Sequence, residues 1–372
     1  MGALQRTLAA EHLGGTAVLT VDLDAIVANW RMLAARARPA DCAAVVKADA
    51  YGLGAAAVAP ALAAAGCGQF FVAHLVEGVA LRRVLGAGPE ILVLHGPAPG
   101  AAPGFAAHRL VPVLNSLAQA AAWAEFGRAQ GAPLPAGLQV DTGMARLGLP
   151  AAQAAQLAAR PDLDIRLLLS HLACADEVGH PANAAQLAVL LEVRRHFPGA
   201  AASLAASFGM FLGPAYHLDL VRPGAALYGI NPAAGANPMR PVIRLQAPVV
   251  QVREIPAGAA VGYGHTWRAG APARIATLGI GYADGLPRAL SNRAGAWLGG
   301  VRLKLVGRVS MDSITLDASA VPEGALAPGT LLDLIGPDCD VDALAAEAGT
   351  VGYELLTRLG DRFQRRYRGG GL

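Results

Sequence analysis

Ala44-Val45-Val46-Lys47-Ala48-Asp49-Ala50-Tyr51-Gly52-Leu53-Gly54 opens with three apolar residues, stops at a lysine, and carries an aromatic hydroxyl four residues later, ahead of two glycines. A short, continuous apolar run reads as a strand covered on both faces. A lysine that closes such a strand has a partly desolvated ammonium. Desolvation lowers its pKa and frees the amine for Schiff-base chemistry. The plainer reading is a lysine whose stem lies along the strand end with its charge in water.

Outward from this stretch, the same pattern repeats. Apolar runs at Ala43–Lys47, Gln69–Ala73, Ile91–Leu94, Val111–Leu114, Leu138–Asp141, Ile165–Ser170, Ala201–Ala206 and Leu218–Arg222 alternate with alanine-rich helical stretches. Eight such units predict an α/β fold, an N-terminal (β/α)8 TIM-like barrel, although a doubly wound sheet has the same alternation. Lys47, Asp141, His171, Ser207 and Arg222 fall at the C-terminal ends of the runs, the face that carries active sites in such barrels. After Pro241 the pattern becomes short alternating segments, among them Val249–Arg253, Arg274–Ile280, Val301–Val306 and Leu331–Ile335, between turns rich in Gly, Pro and Asp. This predicts a C-terminal β domain. The expected division is an N-terminal strand at 1–20 that pairs with the β domain, a barrel at 21–240, and the β domain at 241–372. Asp22 is the expected cap of a helix over Ala25–Arg36, with Ile26, Trp30 and Leu33 inward.

Hydrophobic residues make up 54% of the 372, charged residues only 15%, and the net charge of +3 is too small to point to nucleic acid. Tyr51 to Val76 lacks formal charges but is interrupted by Gly52, Gly54, Pro60, Gly66 and Gly68, so a helix, a turn and a buried strand are expected there, not a membrane span. Cys42, Cys67, Cys174 and Cys339 are scattered without a CxxC pair, which predicts free thiols and no metal site. The first fifteen residues hold Arg6, Glu11 and His12 and no apolar core of signal length, so a cytoplasmic protein is expected. The basic stretch Arg362–Arg368 reads as a solvated tail.

Further motifs surround the lysine run. They are Asp141-Thr142-Gly143-Met144-Ala145-Arg146-Leu147-Gly148, Ser170-His171-Leu172, and Leu204-Ala205-Ala206-Ser207 followed by Val221-Arg222-Pro223-Gly224. In the C-terminal part are Ile280-Gly281-Tyr282-Ala283-Asp284-Gly285, Gly307-Arg308-Val309-Ser310-Met311-Asp312, and Gly352-Tyr353-Glu354. Each has a structural reading of its own: a turn, a core histidine, a packed tyrosine ring. Taken in this order from Ala44 to Glu354, they resemble the alanine racemase family, pyridoxal phosphate enzymes of fold type III.

That resemblance implies pyridoxal 5'-phosphate as cofactor, carried by Lys47 as a Schiff base. It implies a phosphate site of Tyr51, Ser207, the amides of Gly224 and Ala225, and Tyr353. Arg146 would meet the cofactor's phenolic oxygen and the substrate carboxylate, with Met311 and Asp312 near that carboxylate. His171 would link the tyrosine base to Arg222, and Arg222 would face the pyridine nitrogen. Arginine has donors only and keeps its proton, so the ring nitrogen stays an acceptor and the cofactor a weaker electron sink. Lys47 and Tyr282 would serve opposite faces of Cα, with Tyr282 entering the site of a partner subunit in a homodimer. The chain departs from many family members at Gln139, where a carbamylated lysine orients the arginine. The implied function is interconversion of L- and D-alanine. A broad-specificity amino-acid racemase and a non-catalytic pyridoxal phosphate carrier are the alternatives.

Overall fold

The computed structural model describes residues 15–371, so the N-terminal stretch with Arg6, Glu11 and His12 lies outside the described residues. The chain divides into two compact units. One is Asp24–Arg240; the other joins the residues up to Leu23 to Pro241–Gly370.

In the first unit a curled parallel sheet runs Ala201–Ser203, Asp164–Leu169, Pro135–Asp141, Val111–Leu114, Glu90–Val93, Gln69–Val72 and Ala44–Val45 in neighbour order. Leu220–Val221 joins the two ends. It pairs in parallel with Asp41–Cys42, just ahead of Ala44, and on its other side Asp219 and Arg222 donate to the carbonyls of Ala202 and Ala205. All eight apolar runs thus hold a parallel strand. Val45, Phe71, Leu92, Val113, Leu169 and Leu220 fill the interior, one or more from nearly every strand. Alternate strand residues point inward, so small and branched apolar side chains close the barrel.

Helices follow the strands where sequence caps allow. Ser116 accepts from the Gln119 amide at the start of Leu117–Ala129, and Pro181 sits in the first turn of Pro181–Arg194. The charge-free stretch after Tyr51 forms helix Ala55–Ala64 and the buried strand Gln69–Val72. No helix among the described residues is long and apolar enough to cross a membrane.

The second unit is mostly β. Its spine is Ile243–Ile255, which pairs with Val18–Asp22, Leu331–Ile335 and Ala273–Leu278. Two features differ from the sequence reading. Arg362–Arg368 is not a tail: Gln364–Arg368 is a strand parallel to Val18–Asp22. Long arginine stems tolerate an edge strand because their heads reach water. Helices Val341–Ala348 and Gly352–Arg358 also stand where only strands were expected. The first is capped by Asp340, which accepts from the Ala343 amide.

Candidate active site

Lys47 stands two residues past the strand Ala44–Val45 and begins a turn, Lys47–Tyr51, of unusual hand. Ala48, Asp49, Ala50 and Tyr51 all have φ between 51° and 56°. A left-handed turn costs L-residues with a Cβ about 1–2 kcal/mol each. Four in a row persist only if their surroundings hold them. Gly52 donates to the Ala48 carbonyl at 2.7 Å, and Gly54 to that of Asp49 at 2.8 Å. Asp49 Oδ1 accepts from the Ala55 amide at 2.7 Å, and Glu77 Oε1 from the Ala48 amide at 2.7 Å. The Tyr51 ring lies 4.8 Å from that of Tyr228, whose buried hydroxyl donates to the Val45 carbonyl.

Across the barrel end, the Ser207 hydroxyl accepts from the amides of Gly224 at 3.0 Å and Ala226 at 3.1 Å. With two bonds accepted, its own proton points elsewhere. Gly224 is a point of close approach. A Cβ there would run into the Tyr51 hydroxyl and sit 3.1 Å from Tyr51 Cζ and 3.2 Å from Val45 Cβ. Tyr51, Ser207 and the amides from Gly224 onward therefore share one small polar cradle.

Arg222 is almost fully buried. It donates to Ser203 Oγ at 2.5 Å and to the Ser170 carbonyl at 2.6 Å, both neutral, and no carboxylate pairs with it among the described residues. Burial lowers its pKa to about 10, still well above neutrality. Burial first, then the cations Arg222, Arg146 and Lys47, pushes His171 down to about 3, so its imidazole is neutral at neutral pH. Lys47 is likewise lowered, chiefly by burial and then by Arg146 and Arg222, with Glu77 opposing.

The loop carrying Arg146 is shaped by Asp141, whose Oδ1 accepts from the amides of Gly143, Met144 and Ala145 at 2.9, 3.0 and 3.1 Å. Arg146 itself is exposed, and among the described residues Gln139 makes no hydrogen bond to it. Gln186 joins the second and third motifs: it donates to Thr142 Oγ and the His171 carbonyl and accepts from the Ala173 amide.

In the other unit, Tyr282 begins the short 3-10 turn Tyr282–Asp284. The amides of Tyr282 and Ala283 donate to the carbonyls of Ser310 and Met311, which binds the fifth motif to the sixth. Gly281 is the second close approach, since a Cβ there would overlap the carbonyls of Met311 and Ser310. Buried Asp284 accepts from the Gly281 amide at 2.8 Å and from Arg362 Nε at 2.7 Å. Arg362 also reaches Asp312 at 2.7 Å. Tyr353 sits in the first turn of Gly352–Arg358. Tyr282, Met311 and Tyr353 are 44%, 54% and 37% exposed.

A strand-end lysine of lowered pKa, an amide-and-hydroxyl cradle and a buried arginine without an anion suit a phosphorylated aromatic aldehyde with a ring nitrogen. Family models describe residues 21–232 as the N-terminal domain of alanine racemase and residues 242–367 as its C-terminal domain. The chain belongs to the alanine racemase family. It is 53% identical over 359 residues to the catabolic alanine racemase of Mesorhizobium japonicum, covering 95% of this chain and 94% of that one. It is 52% identical over 360 residues to the alanine racemase of Rhodospirillum rubrum, with 95% and 96% covered. The crystal structure of alanine racemase from Bartonella henselae, which has covalently bound pyridoxal phosphate, matches with a TM-score of 0.91 at 40% identity, covering 95% of this chain and 100% of that one.

Within the alanine racemase fold, the barrel unit brings together Lys47, Tyr51, His171, Ser207, Arg222, Gly224 and Ala225, with Arg146 on a neighbouring strand-end loop. The β unit carries Tyr282, Met311, Asp312 and Tyr353. Sequence reasoning passed over Glu77, Gln186, Ser203, Tyr228 and Arg362. Only Glu77 had a signal, as an acidic residue in the first turn of a helix that follows an apolar run.

Proposed function

We propose that the chain is an alanine racemase that interconverts L- and D-alanine with pyridoxal 5'-phosphate held by Lys47. The carrying observation is Arg222: a buried guanidinium with only neutral partners suits a ligand atom that accepts a hydrogen bond and stays unprotonated. When bound, the cofactor supplies a carbonyl for condensation with the amino group and an electron sink that acidifies Cα. Tyr51, Ser207 and the amides of Gly224 and Ala225 hold its phosphate, with Tyr353 as a further contact. Arg222 withholds a proton from its ring, which limits the sink and favours proton transfer over transamination. Neutral His171 would link the tyrosine base to Arg222 in this reading.

Arg146 orients the substrate carboxylate, with the Met311 backbone and Asp312 near it. Lys47 moves the proton on one face of Cα and Tyr282 on the other. Lys47 suits this role, since the chain has only one other lysine, Lys304, which is exposed on a strand of the β unit. Tyr282 acts in the partner's site of a homodimer. The exposed apolar bodies of Tyr282, Met311 and Tyr353 on one unit support an interface there. Four free cysteines fit a reducing cytoplasm.

The test is a panel of L-amino acids incubated with cofactor-loaded protein and resolved by chiral chromatography. Alanine should turn over fastest, with serine and larger side chains well behind. Comparable rates for lysine or arginine would favour a broad-specificity racemase, and bound cofactor without turnover a carrier.

A further inference from the structure

We propose that Glu77 is a positioning residue that anchors the left-handed Lys47 turn to the barrel. Glu77 is the third residue of helix Leu75–Leu85. Its two oxygens face different parts of the chain. Oε2 accepts from the amides of Ala73 at 2.7 Å and His74 at 2.9 Å, directly after strand Gln69–Val72. Oε1 accepts from the Ala48 amide at 2.7 Å, at the first left-handed residue after Lys47. Strand Gln69–Val72 is the sheet neighbour of Ala44–Val45. One carboxylate therefore ties together the ends of two adjacent strands.

Capping a helix needs only the bond back to the residue before it. The bond to Ala48 goes beyond that requirement. Ala50, Gly52, Leu53, Gly54 and Ala55 donate within the turn and its flanks. Val46, ahead of the left-handed residues, donates to the Phe71 carbonyl of the neighbouring strand at 2.9 Å; the Glu77 bond reaches the first left-handed residue, Ala48, itself. Glu77 also places a negative charge against Lys47, opposite to Arg146 and Arg222. The other titratable groups that feel Lys47 are His95 and His171.

The kinetic arm of the test rests on the racemase reading; the structural arm does not. Glu77→Gln keeps the size but offers one acceptor oxygen to three donors, and Glu77→Ala removes both oxygens. In cofactor-free protein, amide hydrogen exchange read by mass spectrometry should quicken by at least ~10-fold over residues 46–54 in both variants. Residues 111–114 should keep their protection. In cofactor-loaded protein, exchange of the Cα proton with deuterium should be measured for each alanine enantiomer. The half-reaction that survives in Tyr282→Phe belongs to Lys47. That half should fall about 10- to 100-fold in Glu77→Gln, with KM little changed and the other half far less affected.

Unchanged exchange over 46–54 in both variants would overturn the anchor. So would protection lost equally across all strands in Glu77→Gln, with both half-reactions falling alike, since that is the signature of a fold-wide role. A wild type inactive on alanine would remove the racemase reading and leave the amide exchange to decide the anchor.

Discussion

Arg222 and Lys47 are both cations pressed toward low dielectric, and the fold treats them differently. The guanidinium keeps its proton even at a pKa of about 10 and is satisfied by Ser203 and Ser170. The amine, lowered by the same burial and by the arginines, becomes a better nucleophile. Lys47→Ala should therefore abolish both covalent cofactor retention, read as absorbance near 420 nm, and racemisation in both directions. Wild-type-like turnover in that variant would sink the assignment.

His171 gives a pH test. Its folded pKa of about 3 lies below the ordinary 6.5, so the unfolded chain binds a proton that the native one refuses. Its contribution is neutral above pH 6.5 and destabilising as pH falls toward 3. Cofactor-free wild type should lose stability relative to His171→Gln between pH 7 and 5, measured by urea unfolding at each pH. A gap that stays constant across this range would show an unshifted histidine.

At this scale the sequence was legible in placing Lys47, His171, Ser207 and Arg222 at the ends of apolar runs, where the strands do end; the roles proposed for them come from the family resemblance. Ser203 and Gln186 were not, because a serine or glutamine means nothing until distant loops bring donors to it. The Gln139 departure was visible, but whether its amide reaches Arg146 depended on loop geometry.

The strand-end turn is the element on which the site depends. Apolar runs predicted the strands, since burial on both faces dictates composition directly. The left-handed coil after Lys47 left almost no trace: alanine and tyrosine are ordinary right-handed residues, and a single aspartate visits the left-handed region only occasionally. It is enforced from outside, by Glu77, by glycines that accept the return, and by Tyr228 under Tyr51. The two β-unit helices were missed for a different reason, because a run of strands and turns biased the reading against an Asp-capped alanine stretch at Asp340.

Gly224→Ala tests the cradle. Its φ of −129° lies outside the left-handed region, and a Cβ there would clash with the Tyr51 hydroxyl. Cofactor affinity should weaken by about 10-fold or more, while the thermal midpoint shifts by a few degrees at most. Equilibrium titration of the cofactor checks it; unchanged affinity would place the phosphate elsewhere.

In the proposed function the barrel unit holds one proton carrier, Lys47, and the β unit carries the other, the exposed Tyr282. Alternation of apolar runs and the change of pattern after Pro241 made both units legible, while the parallel strand Gln364–Arg368 hid behind its charge. If Tyr282 works across a two-fold interface, Lys47→Ala and Tyr282→Phe subunits, each inactive alone, should complement. With free exchange of equal amounts, half the dimers are mixed and each has one intact site of two, so activity should recover to about a quarter of wild type. No recovery despite proven subunit exchange would confine Tyr282 to its own chain.

The proposed chemistry is proton transfer at Cα of alanine by two groups on opposite faces. The direct measurement is incubation of the cofactor-loaded protein with L-alanine in deuterium oxide, following optical rotation and Cα deuterium together. Rotation should decay to zero as the enantiomers reach equal amounts, with deuterium at Cα and no pyruvate formed. Retained rotation, or pyruvate in place of D-alanine, would contradict it.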